Sequence, residues 1–281
     1  MIRLIASDLD GTLLGPDFRF RPRTLAALRA ASLAGLELVF VTGRPHRWLT
    51  PLREQLQHDS YAICSNGAVL YHMGSDSIER VELASMADIA AVHLVLEGMF
   101  PAATFIMETL DTVYIQGQQL DSPALDTARV IYGPLARSLD SRAGVVKYLL
   151  KLDGVDVHWL YRQVQPVVAD RLSITAGLKD VPLVEMAKLG LHKGQVLAQF
   201  AADRGIKAGE VAAFGDMLND VEMLQWAGAG YAMASGSSRL IEAVGRVCPG
   251  FDQDGVAQVI EAILTDLTRQ DSGGLGPQNC L

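Results

Sequence analysis

Cysteine is scarce, with three in 281 residues. That odd and small number excludes a disulfide framework. No CxxC pair and no Cys/His cluster marks a zinc site. Aromatic residues make up only 6% of the chain, so any core must be mostly aliphatic. No stretch of about 18 uncharged apolar residues exists, which excludes a transmembrane helix. Asp8 and Asp10 break the apolar run that starts at Met1, which excludes a secretory leader. Cys280 is second from the end, the wrong place for a prenylation signal. Positive charge is in deficit, with 24 Lys and Arg against 32 Asp and Glu and a net charge of −8. Such a chain does not seek nucleic acid or an anionic membrane through its overall field, although a local pocket can still hold a small anion.

What is present is a globular composition. Hydrophobic residues are 49% and charged residues 20%, which excludes intrinsic disorder and collagen-like or coiled-coil chains. The expectation is a soluble cytoplasmic protein with one large or two ordinary domains. Neither nucleic acid nor membrane is expected as a partner, and oligomeric state is not legible. Cys64 and Cys248 lie in or beside apolar runs and read as buried small hydrophobes.

Ile2 to Ser7 is a short apolar run ending at Asp8 and reads as a buried strand. A helix from Pro22 to Ala34 follows, stopped at Gly35. Leu36 to Val41 and Tyr61 to Cys64 are further apolar runs, ending at Thr42-Gly43-Arg44 and Ser65-Asn66-Gly67. Strand, helix, strand at this spacing implies βαβ units and a parallel sheet. The pattern returns late in the chain. There the helix 194–204, the strands 211–214 and 230–233, and the helices 220–227 and 256–268 are expected. The middle, 82–185, reads as α+β. It has a hairpin of 104–107 with 112–115, strands at 145–152, 172–175 and 183–186, and helices at 86–97, 122–129 and 154–167. The expected architecture is an α/β protein with a discontinuous parallel-sheet core, 1–81 plus 186–265. An α+β unit, 82–185, is inserted in it, and a frayed tail covers 270–281.

Four polar motifs fall at the ends of expected core strands. Asp8-Leu9-Asp10-Gly11-Thr12 places two carboxylates two residues apart, where ligands bind in open α/β sheets. Two such carboxylates stay charged together only beside a cation, and magnesium suits hard oxygen ligands. Gly11 allows a sharp turn that exposes backbone N–H groups. Thr42-Gly43 can grip a phosphate oxygen, and Lys193 can balance anionic charge. Gly215-Asp216-Met217-Leu218-Asn219-Asp220 offers oxygens for a metal or for orienting a base. Each motif alone also fits a bland role: a solvated Asx turn, a helix N-cap at Thr42 or Asn219, a surface lysine. Four bland roles at four strand ends are a weaker account than one shared site.

These segments resemble the four motifs of the haloacid-dehalogenase-like (HAD) superfamily. The segments in question are Asp8 to Leu14, Val41 to Arg44, Lys193-Gly194 and Gly215 to Asp220. The chain is most similar to the Cof-type sugar-phosphatase branch, with Ser65 to Ala68 and Asp254 to Ala257 as further markers. The resemblance implies a parallel-sheet core with an inserted cap. It implies a magnesium-dependent phosphatase acting on small phosphorylated metabolites, with sugar phosphates expected. Asp8 matches the nucleophile, and Asp10 matches the general acid. Asp8, the Asp10 backbone carbonyl and Asp216 match the metal ligands. Thr42, Gly43, Lys193 and Asn219 match phosphate-binding positions, and Gly11, Arg44, Asn66 and Asp220 match supporting ones. The chain departs from the branch at His192, where a small hydroxyl residue is usual, and at Ala234-Ser235-Gly236, where Gly-Asn-Ala is usual. Two alternatives stand beside the phosphatase: a phosphomutase on the same core, and a phospho-ligand binder with little turnover.

Overall fold

The central strand β1, Leu4–Ser7, is buried at every position, as an apolar run flanked on both faces requires. It is the first element of a computed structural model that describes residues 1–56, 59–120, 125, 127–138, 144–176 and 181–273, with no side chains described beyond 269. After β1 come α1 (Pro22–Leu33), β2 (Glu37–Val41), α2 (Thr50–Leu56), β3 (Tyr61–Cys64), β4 (Val69–His72) and β5 (Ser77–Val81). The middle of the chain forms α3 (Met86–Met99), β6 (Thr104–Glu108), β7 (Thr112–Gln116), β8 (Arg129–Tyr132), β9 (Lys147–Lys151), α4 (Val157–Val168), β10 (Leu172–Ala176) and β11 (Leu183–Lys188). The last part forms α5 (Lys193–Ala202), β12 (Val211–Gly215), α6 (Val221–Trp226), β13 (Ala229–Met233), α7 (Ser238–Val244), β14 (Val247–Cys248) and α8 (Gly255–Gly273).

Helix starts follow from local chemistry. Pro22 supplies a preset φ at the first turn of α1, where its missing N–H costs nothing. Ser85 caps α3 by accepting from the Asp88 N–H at 3.1 Å, and Asp156 caps α4 from Trp159 at 2.8 Å.

The strands form two sheets. One has eight strands in the order β14-β13-β12-β1-β2-β3-β4-β5, and the other has six in the order β10-β11-β9-β6-β7-β8. The fold is α/β, as expected. In the larger sheet β14 through β3 run parallel, while β4 and β5 add antiparallel strands at one edge. The parallel core strands are those expected, and the antiparallel β4 and β5 extend them. A tight Ser65–Gly67 turn sends the chain straight back along β3 instead of through a helical crossover. Each sheet carries its own hydrophobic cluster, one around Leu4, Phe40 and Phe214, the other around Phe105, Tyr148 and Met186. Burying one such aliphatic or aromatic side chain contributes about 1.5–3 kcal/mol.

Other expectations shift. The helix expected over 122–129 falls partly outside the described residues, and its last position, Arg129, opens strand β8, paired in parallel with β7. Of the tail expected over 270–281, the first positions belong to α8, which runs to Gly273, and 274–281 lie outside the described residues. β11 continues to Lys188, past the expected boundary at 185. Cys64 and Cys248 are buried free thiols. Among the described residues no helix is long and apolar enough to cross a membrane.

Candidate active site

β1, β2 and β12 lie side by side and parallel, so their carboxyl ends open on one crevice. Asp8 follows β1, Thr42 follows β2, and Asp216 follows β12. Lys193 enters from the first turn of α5. Its Nζ lies 2.6 Å from Asp8 Oδ1 and 2.6 Å from Asp220 Oδ1. Lys193 is 1% exposed, Asp220 0% and Asp8 5%. Burial alone pulls the Lys193 ammonium down, but Asp220 and Asp8 outweigh it and hold it above its ordinary value. The second Asp220 oxygen accepts the backbone N–H groups of Asp216 and Met217, each at 3.0 Å. Asp220 thus holds Lys193 and the Asp216 turn together, which is a positioning role.

Asp8, Asp216 and Asp220 bring carboxylate oxygens within 4.8 Å of one another. Burial pushes the Asp8 carboxyl up, and Asp220 and Asp216 push it further against the opposing pull of Lys193. Asp216 is raised to about 7, first by burial and then by Asp220. Crowded, buried, oxygen-only donors of this kind fit a magnesium ion, which offsets their mutual repulsion when all are ionised. Asp220 spends both oxygens on Lys193 and the turn, which leaves Asp8 and Asp216 as the side chains placed to hold it. Thr12 Oγ1 lies 3.5 Å from Asp216 Oδ1.

Gly11 closes the loop after β1 with φ +81°, and a Cβ there would sit 2.3 Å from Asp216 Oδ2. Only glycine admits both the left-handed backbone and the neighbouring carboxylate.

Asp10 is held differently. Both of its oxygens meet the Arg44 guanidinium, Nε at 2.7 Å and Nη2 at 2.5 Å. The guanidinium rests over the Phe18 ring, 4.5 Å from its centre. Phe18 adopts φ 56°, a strained value for a non-glycine residue. Arg44 also donates its backbone N–H to Thr42 Oγ1 at 3.1 Å. Thr42 is fully buried, and its carbonyl accepts the Asn66 N–H at 2.9 Å. The Asn219 amide donates to Asn66 Oδ1 at 3.3 Å.

The eleven sequence-derived positions lie in or beside this crevice: Asp8, Asp10, Gly11, Thr42, Gly43, Arg44, Asn66, Lys193, Asp216, Asn219 and Asp220. His192 stands at its edge as the N-cap of α5, accepting from the Gln195 N–H at 3.2 Å. Asp254 does not join them, and its carboxylate pairs with Arg21 at 2.6 Å. Two residues absent from any motif also reach the crevice. Lys147 on β9 donates to the Gly43 carbonyl at 2.9 Å, and Glu185 on β11 accepts from the Asn66 amide at 3.1 Å. Their trace in the sequence is slight, since each shares its strand with a second charged residue, Lys151 on β9 and Lys188 on β11.

Comparison with known proteins finds a family for the chain. Residues 5–260 match the family model of haloacid dehalogenase-like hydrolases. The chain is 30% identical over 245 residues to an HMP-PP phosphatase of Enterobacter sp. (strain 638), covering 86% of this chain and 87% of that one. It is 27% identical over 261 residues to the 5-amino-6-(5-phospho-D-ribitylamino)uracil phosphatase YitU of Bacillus subtilis (strain 168), covering 92% and 96%. Among solved structures, a protein of Streptococcus mutans UA159 superposes with a TM-score of 0.80 at 21% identity, covering 94% of this chain and 100% of that one. A HAD subclass IIB sugar phosphatase superposes with a TM-score of 0.78 at 20% identity, covering 93% and 98%.

Proposed function

Because the chain belongs to the haloacid dehalogenase-like hydrolase family and is, like its curated relatives, a phosphatase, we propose the following finer reading. It is a magnesium-dependent enzyme that hydrolyses small phosphorylated metabolites, sugar or polyol phosphates among them, through a phosphoryl group carried on Asp8. The observation that carries this reading is the buried Asp8–Lys193–Asp220 array, with Asp216 beside it, at the ends of β1 and β12.

In this reading the residues take the roles that the family resemblance implies. Lys193 and the Thr42 hydroxyl bind and orient the phosphoryl oxygens. Asp8 attacks phosphorus, so an oxygen–phosphorus bond forms to the carboxylate as the bond to the leaving oxygen breaks. Asp10, turned away from the Arg44 guanidinium and carrying a proton, gives that proton to the leaving oxygen. Water then attacks the phosphorus, Asp10 takes the proton back, and the bond to Asp8 breaks, releasing phosphate and restoring both carboxyl groups. Asp8, Asp216 and the Asp10 carbonyl would hold magnesium, which would supply charge neutralisation for the transferring group. In this reading the six-stranded sheet with α3 and α4, over about 82–185, acts as a cap that limits water and selects the leaving group. The expected location is the cytoplasm.

The test is release of free phosphate from a panel of phosphorylated metabolites, with and without magnesium. Magnesium-dependent release from any member supports the reading. Tight binding of phosphorylated ligands with no turnover of any of them would favour a binding protein.

A further inference from the structure

The face of the six-stranded sheet that meets the crevice carries charges in balanced pairs. Lys147 on β9 lies in register with Glu108 on β6. Tyr148, Leu150, Met107 and Met186 alternate onto the opposite face and join the second hydrophobic cluster. Glu185 on β11 is opposite Leu149, which places it on the same face as Lys147. Lys147 is 6% exposed, and its Nζ lies 2.9 Å from Glu185 Oε2. Glu108 pairs with Arg47, which reaches over from the larger sheet's side. The sum over Arg47, Lys147, Glu108 and Glu185 is two positive and two negative charges.

Such an arrangement is poorly explained as glue. A well-packed apolar contact of similar volume is usually as stable as a buried ion pair, or more so. Two polar atoms beside the array also lack any hydrogen-bond partner among the described residues: Arg47 Nε and Ser65 Oγ, both buried. Buried polar atoms are normally satisfied, so these point to a polar ligand group beside them. Lys147 contacts Gly43 and Glu185 contacts Asn66, and both of those residues adjoin Thr42. The leaving group of a phosphoryl group bound at Thr42 therefore has this pair as its neighbour.

We infer that Lys147 and Glu185 are specificity-determining residues that grip a neutral leaving group bearing adjacent hydroxyls, a polyol or sugar. This rests on the phosphatase reading above. A carboxylate accepts from one hydroxyl while the ammonium donates to the next, and adjacent hydroxyl oxygens lie at a spacing comparable to that between the two charged groups. A second phosphate brings about −1.5 to −2 charge and needs unpaired cations. Here each cation is already matched, and Glu108 and Glu185 repel an added anion. The array thus also speaks against a bisphosphate intermediate, and so against a phosphomutase.

The test measures phosphate release by the full chain with magnesium. The probes are ribitol 5-phosphate, pentyl phosphate of the same carbon count, fructose 1,6-bisphosphate and p-nitrophenyl phosphate. A site built to bond hydroxyls discriminates strongly against analogues lacking them, so kcat/KM for the ribitol ester should exceed that for the pentyl ester about 100-fold or more. Glu185→Gln and Lys147→Met should each shrink that ratio about tenfold or more, mainly by raising KM for the ribitol ester. A wild-type ratio near one overturns the inference. So does preference for the bisphosphate, or an equal loss on both esters in folded variants. If those variants do not fold, Glu185→Asp and Lys147→Arg are read for the same fall in the ratio, and an unchanged ratio in both overturns the inference. If wild-type protein hydrolyses p-nitrophenyl phosphate but not the ribitol ester, the inference fails and the phosphatase reading stands. If it hydrolyses none of the four and no member of the metabolite panel, the phosphatase reading fails first.

Discussion

Asp220 and Lys193 form an ion pair sealed from solvent, with Nζ 2.6 Å from Oδ1 and exposures of 0% and 1%. Removing one partner of a buried pair typically costs about 3–5 kcal/mol, and here the cost falls toward the low end because Asp8 still pairs with Lys193 at 2.6 Å. Asp220→Ala should lose stability on that scale, and it also orphans the Asp216 and Met217 N–H groups. Urea unfolding measures it. A loss below about 1 kcal/mol would show that water or a rearranged Asp8 replaces the missing carboxylate.

Gly11 tests the neck of the site. Gly11→Ala must hold φ +81° and place a methyl 2.3 Å from Asp216 Oδ2. The strained backbone costs about 1–2 kcal/mol, and the carboxylate has to move. Displacing Asp216, a magnesium ligand in the proposed function, should raise the magnesium concentration for half-maximal activity about tenfold or more. An unchanged magnesium titration would place Asp216 outside the metal site.

Asp216 itself gives the stronger form of that test. Asp216→Ala removes a carboxylate that lies within 4.8 Å of its two acidic neighbours. Activity should vanish, or should need magnesium far above the wild-type range, while the unfolding midpoint stays near that of the wild type. Normal activity at wild-type magnesium contradicts the assignment.

Arg44 grips both oxygens of Asp10, and its effect should depend on the leaving group. General acid–base catalysis contributes about 10²–10⁴-fold, and it matters most when the leaving oxygen is a poor one. Arg44→Ala should therefore lower kcat for an alkyl phosphate about tenfold more than for an activated aryl phosphate. Equal losses would mean that Arg44 serves the loop around Thr42 rather than Asp10.

Much of this was legible because the chemistry sits in contiguous motifs at strand ends. Asp8, Thr42 and Asp216 each follow an apolar run that reads as a buried strand, and parallel order brings those ends together. The edge strands were harder. β5, Ser77–Val81, is largely exposed, so it lacks the hydrophobic pattern that announces a strand. Asp220 reads as one of several acids at a helix start, and only its burial against Lys193 separates it from them. Lys147 and Glu185 are 38 residues apart in the numbering, and β11 pairing with β9 is what brings them together. The grip of Arg44 on Asp10 is equally a product of the fold, since it joins the ends of two different strands.

The most direct measurement is phosphate release by Asp8→Asn with magnesium on a substrate the wild type turns over, beside an unfolding curve of the same variant. The substitution keeps the shape of the side chain but removes the attacking charge 2.6 Å from Lys193. Transfer through Asp8 predicts a fall in turnover of about a thousandfold or more in a protein that still unfolds cooperatively. Near-normal phosphate release from folded Asp8→Asn would contradict it.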